Sequence, residues 1–136
     1  MRVVLDTNIL FSALISPHGK PDLIYRAWRS ARFEIVTSHL QLDEVRRASR
    51  YPKFRDILQP AKVCAMVNNL QRAVVLEELL ITVEADDADD AFLLTMALSG
   101  DADYLITGDR RAGLLQRGYV ERTRIVTPTV FCAEVL

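Results

Sequence analysis

The sequence predicts an α/β fold, a three-layer α/β/α sandwich around a mainly parallel sheet. Three observations carry this. Apolar runs such as Val3-Val4-Leu5 and Tyr104-Leu105-Ile106 are continuous rather than alternating, as in strands covered on both faces. Stretches with helical apolar spacing separate these runs, so strands and helices alternate along the chain. Two of the runs lead into a carboxylate, Asp6 directly and Asp109 across a short Thr107-Gly108 turn. Sites in open α/β sheets form at the carboxyl ends of strands.

The 136 residues suffice for one domain with one core, residues 1–136. Residues 2–5 read as the first strand. Ser16 to Pro21 is a turn by composition, and a helix follows over about 21–31, with Leu23, Ile24, Ala27 and Trp28 at helical spacing. Residues 33–36 form a second strand. Ser38 and Gln41 match a capping box that opens a helix carrying Glu44 and ending near Ser49. Tyr51-Pro52 breaks it. Helices fit 53–58 and 61–73, and 74–83 reads equally as strand or as loop plus strand. The aspartates at 86, 87, 89 and 90 start the next helix, whose face is Ala91, Leu94, Thr95 and Leu98 and whose stop is Gly100. Strand 103–106, a short helix 110–117, strand 124–126 and a helix from Pro128 complete the chain.

Asp6, Glu44, Asp90 and Asp109 are the candidate catalytic and metal-ligating acids. Carboxylates converging on one sheet edge repel one another unless a cation holds them, and an all-oxygen donor set suits Mg²⁺ or Mn²⁺. Each acid also has a plainer explanation. Asp6 and Asp109 can cap helices, Asp90 can complement a helix dipole, and Glu44 is a good helix-surface residue that nothing local distinguishes from Asp43. The four aspartates within five residues are too mutually repulsive for the dipole to explain them all. Thr7, Asn8 and Thr107 stand beside these acids as residues that can orient them.

Composition narrows the alternatives. Cys64 and Cys132 lack metal-ligand spacing and are not near His18 or His39 in sequence, so a zinc site is not expected. Buried free thiols are the expectation. Asp6 arrives too early for a signal peptide, and no apolar stretch approaches a membrane span, so a cytoplasmic protein is expected. The net charge of −1 hides an asymmetry. Residues 20–55 hold nine basic side chains against four acidic, and residues 77–90 hold seven acids and no base. This fits a positive rim around a negative centre, although solvated helix faces give the same count. Arg46, Arg47, Arg50 and Lys53 are the candidate phosphate contacts. Half of the residues are hydrophobic, an excess for a chain this short, which favours self-association as a dimer.

Four segments, in order, resemble the motifs of the PIN-domain family, in particular the VapC-like ribonuclease toxins of toxin–antitoxin pairs. They are Val3-Val4-Leu5-Asp6-Thr7-Asn8, Thr37-Ser38 through Glu44-Val45, Asp87-Ala88-Asp89-Asp90 through Leu98, and Ala102-Asp103 through Thr107-Gly108-Asp109. Tyr51-Pro52-Lys53-Phe54 is similar to one branch of the family. The resemblance implies a PIN-like fold, a Mg²⁺- or Mn²⁺-dependent cleavage of RNA, and an antitoxin partner that covers the site. A phosphoacceptor receiver domain needs a late lysine, and none follows Lys62. A haloacid-dehalogenase-type phosphatase needs a second aspartate where this chain has Asn8. The remaining rival is a PIN-fold module that binds RNA or protein without cutting.

Overall fold

The computed structural model describes residues 1–81, 83–85, 87–108 and 113–136. These residues form six strands, β1 (Arg2–Leu5), β2 (Glu34–Ser38), β3 (Val74–Leu76), β4 (Tyr104–Ile106), β5 (Tyr119–Val120) and β6 (Thr123–Val126). They pair in the order β3-β2-β1-β4-β6-β5. All pairings are parallel except β5 with β6.

Successive strand side chains point to opposite faces, and the two faces have separate cores. Val3, Leu5, Ile35, Ile106 and Val126 belong to one. They pack beneath α1 (Thr7–Ile15), α2 (Lys20–Arg29), α3 (His39–Ala48), α5 (Pro60–Leu70) and α8 (Pro128–Glu134). Val4, Val36, Leu105 and Ile125 belong to the other, covered by α6 (Ala88–Ser99) and α7 (Leu114–Arg117). This two-sided burial explains the unbroken apolar runs and yields the expected three layers. The short α4 (Pro52–Arg55) links α3 to α5.

The structure departs from the sequence reading in several places. Helix α1 was not anticipated. Ile9, Leu10, Phe11 and Ala13 are all buried, so the segment lacks the single apolar stripe that marks an amphipathic helix. The antiparallel β5 was also unexpected, being only two residues long. Of the ambiguous stretch 74–83, Val74–Leu76 forms a three-residue strand and residues 77–81 a loop; residue 82 lies outside the described residues. Helix 110–117 is present as α7 over its second half; residues 109–112 lie outside the described residues.

Gly100 ends α6, but not by adopting a left-handed conformation: its φ is −90°, and Asp101 takes the positive φ of 52°. A side chain at Gly100 would meet Val36. A Cβ there would lie 2.4 Å from Val36 Cγ1, so this glycine lets α6 approach β2 closely. The expectation of buried thiols is also corrected. Cys64 is exposed and Cys132 half-buried, because both lie on outward portions of their helices.

Candidate metal centre

The site follows from strand order. β1 connects onward to β2 on one side and has β4 on the other, so the sheet reverses its winding between β1 and β4. A crevice opens where neighbouring strands diverge in this way. The register pairs Leu5 with Ile106, so Asp6 and Thr107 leave the sheet side by side. The Asp6 amide donates to the Ile106 carbonyl at 2.9 Å.

Asp6 is also the N-cap of α1, where its Oδ1 accepts from the Asn8 amide at 3.2 Å. Its Oδ2 accepts from Thr107 Oγ1 at 2.8 Å. The capping role and the oriented carboxylate therefore coexist: one oxygen closes the helix and the other is aimed by the neighbouring strand. Thr107 is fully buried, which fixes its hydroxyl for this contact.

Glu44 lies in the second turn of α3. Ser38 caps that helix as expected, accepting from the Gln41 amide at 3.1 Å. The Gln41 side chain does not complete the capping box. Its Nε2 donates to the Leu5 carbonyl at 2.7 Å and reaches Thr7 Oγ1 at 3.4 Å, while its Oε1 accepts from Thr37 Oγ1 at 2.7 Å. Leaving the Leu5 carbonyl without a donor in this buried place would cost about 1–3 kcal/mol, more than a reciprocal cap is worth. Gln41 thus ties the base of α3 to the end of β1, and Glu44 stands one turn further on.

Asp90 is the third residue of α6 and is buried; Asp87 caps that helix, accepting from the Asp89 amide at 2.8 Å. Asp6, Glu44 and Asp90 all line one cleft of about 280 Å³, together with Thr7, Asn8, Asp87 and Asp89. The larger groove elsewhere, about 600 Å³, contains none of these acids, so volume does not mark the chemistry here. Asp109 lies outside the described residues.

The electrostatics of the cleft register the crowding. Burial pushes the Glu44 carboxyl above its ordinary value, a hydrogen bond from Thr7 opposes this, and the negative charges of Asp89 and Asp6 add to the rise. Arg47 partly offsets them. The donors are hard carboxylate oxygens under mutual repulsion, which fits Mg²⁺ or Mn²⁺ in donor type and charge. Among the described residues no three His, Cys, Asp or Glu side chains already converge as a finished ion cage. Mg²⁺ retains several waters and needs few protein ligands.

The four candidate phosphate contacts separate. Arg47 and Lys53 line the acidic cleft, whereas Arg46 and Arg50 line the larger groove. Tyr51, read in sequence as a helix breaker, lines the acidic cleft and accepts a hydrogen bond from Arg47. Its sequence signals were its place before Pro52 and the resemblance of Tyr51-Pro52-Lys53-Phe54 to one branch of the family. Asp87 and Asp89 stood in the acidic run and in the third of the four motif-like segments but were not singled out as site residues.

The PIN domain family model matches residues 2–111, most of the chain. No curated protein is similar enough to count as a relative. One solved structure, the VapBC2 assembly from Rickettsia felis bound to a DNA fragment from their promoter, superposes with a TM-score of 0.58 at 16% sequence identity. It covers 93% of this chain and 98% of its own. At that identity the likeness speaks for the fold, and it agrees with the family match. The chain belongs to the PIN domain family.

Proposed function

We propose that this PIN domain is a divalent-metal-dependent ribonuclease, the toxin of a toxin–antitoxin pair in the cytoplasm. The observation that carries the nuclease reading is the meeting of Asp6, Glu44 and Asp90, from three distant stretches, in one cleft beside Arg47 and Lys53. The toxin reading rests on the ordered motifs and on the fold shared with the VapBC2 assembly.

Asp6, Glu44 and Asp90 would hold Mg²⁺ or Mn²⁺, with Asp109 as a fourth acid. When bound, such an ion supplies a water-derived nucleophile at neutral pH and neutralises charge developing on phosphate. The chain's own residues do the remaining work. Thr107 and the Asn8 amide orient the Asp6 carboxylate, and Thr7 orients Glu44. Arg47 and Lys53 draw the RNA backbone toward a centre that would otherwise repel it. Gln41 fixes the distance between α3 and β1, on which the separation of Glu44 and Asp6 depends.

Incubation of the purified chain with RNA, with and without Mn²⁺, tests this. Cleavage that requires the ion and disappears in Asp90→Asn is the expected result. Cleavage unaffected by chelation would overturn the metal dependence, and tight RNA binding with no cleavage by the intact chain would favour a non-catalytic binding module. Growth arrest on expression, relieved by a co-expressed partner encoded beside this gene, tests the toxin reading.

A further inference from the structure

Among the described residues, every aromatic ring packs against another except those of Tyr51, Phe92 and Tyr119. Tyr51 and Phe92 line the acidic cleft. Phe92 comes from α6, is half-buried and packs on the core of that face. Tyr51 stands between α3 and α4 and is 47% exposed. A flat apolar face is therefore open to solvent beside the carboxylates.

The local sequence holds that face in place. Pro52 keeps Tyr51 in extended backbone, with φ −64° and ψ 147°. Phe54, at the end of the same turn, packs on the buried Phe11 with ring centroids 4.7 Å apart. Lys53 keeps its ammonium 4.8 Å from the centre of the Phe54 ring. The turn is anchored to the core through Phe54, and Tyr51 is the aromatic residue of Tyr51-Pro52-Lys53-Phe54 that the core does not use. Arg47, four residues earlier on α3, donates a hydrogen bond to the Tyr51 side chain. Ring and guanidinium thus form a fixed pair at the cleft.

An anchored guanidinium beside an open aromatic face matches a nucleotide, in which a sugar joins a phosphate to a base. Arginine binds phosphate through charge-assisted hydrogen bonds, and a tyrosine face stacks on a base. We propose that Tyr51 is the base platform of a nucleotide subsite, stacking the unpaired base of the nucleotide whose phosphate Arg47 binds. The proposal rests on the nuclease reading for its ligand, RNA, and adds the residue that selects substrates by an unpaired base beside the cut. Every base has a π face, so the platform demands a base without choosing strongly among them. In a duplex both faces of a base are covered by its neighbours, which bars paired RNA from this position.

A pentanucleotide carrying a single base, 2-aminopurine, among abasic residues tests this, because only that base can reach the platform. Its fluorescence is quenched on stacking. In Ca²⁺, which takes oxygen ligands and so neutralises the acids, the parent should bind the probe and quench it. Tyr51→Leu should lose the quench and bind the probe roughly 10–100-fold more weakly. Calorimetry should show parent and Tyr51→Leu binding a fully abasic pentamer equally, whereas a merely structural role for Tyr51 would weaken both ligands alike. Tyr51→Phe keeps the ring and should keep the quench. Tyr119→Leu removes the open ring outside the cleft and should change nothing. Circular dichroism checks that each variant is folded. A parent that leaves the probe unquenched, a quench that survives Tyr51→Leu, or equal weakening toward both pentamers overturns the proposal. Failure of the nuclease reading looks different: a parent that quenches the probe yet leaves RNA whole keeps the platform and loses the cut.

Discussion

Thr107 Oγ1 donates a 2.8 Å hydrogen bond to Asp6 Oδ2, joining two residues 101 positions apart in sequence. Each follows a parallel strand, β4 and β1, so the contact is set by sheet register rather than by loop conformation. Thr107→Val keeps the shape and removes the donor. It should weaken Mn²⁺ binding or cleavage roughly 10–100-fold, the usual effect of losing a group that orients a ligand. Calorimetric titration with Mn²⁺ measures this. Unchanged affinity would mean that Asp6 needs no aiming.

Gly100→Ala tests the packing that brings α6, and hence Asp90, against the sheet. The new Cβ would meet Val36 Cγ1 at 2.4 Å, and Val36 is fully buried and cannot retreat. Overpacking of this kind costs about 1–3 kcal/mol, more than alanine's better helix propensity returns. The expected outcome is a thermal midpoint lowered by several degrees, read by circular dichroism. A midpoint that rises would show that the helix shifts freely.

The sheet was legible because its central strands are buried on both faces, and the unbroken runs Val3-Val4-Leu5 and Tyr104-Leu105-Ile106 record this directly. The helices with one apolar stripe were legible too. α1 was not, since apolar residues from Ile9 to Ile15 are interrupted only by Ser12 and leave no clear periodicity. At the site, Asp6 could be placed from its strand alone. Glu44 could not be told from Asp43 by local pattern; only the fold shows Asp43 paired with Arg46 at the surface and Glu44 in the cleft. Gln41 misled, because the capping pattern is local whereas its partners on β1 are distant in sequence.

Arg47 lines the acidic cleft, donates to Tyr51 and feels the charge of Glu44. A cation held there is suited to a phosphate approaching the acids. Arg47→Ala should raise KM for RNA roughly 10-fold, since a hydrogen bond to a charged group is worth about 1.5–3 kcal/mol. It should also flatten the dependence of log affinity on log salt by about 0.7 for the one lost phosphate contact on a single strand. Arg46→Ala serves as the comparison, its side chain being on the other groove. Equal effects from the two would dismiss the special place of Arg47.

The Glu44 carboxyl is pushed above its ordinary value of 4.5 by burial first, then by Asp89 and Asp6. Between that value and the raised one, the folded chain holds a proton that the unfolded chain has released. Stability must then fall as pH rises through this window. Above it the destabilisation is complete. Glu44→Gln has no proton to lose, so the metal-free variant should lack this step and melt at or above the parent's temperature near neutrality. Mn²⁺ should raise the parent's midpoint, since an ion that binds only the folded chain stabilises it, and should raise that of Glu44→Gln less. The same variant should lose cleavage by orders of magnitude. Asp43→Asn should keep both the pH step and the cleavage. Melting curves across mildly acidic to neutral pH, together with cleavage rates, test the pair. If Glu44→Gln cuts RNA as well as the parent, Glu44 is scaffold and the centre works without it.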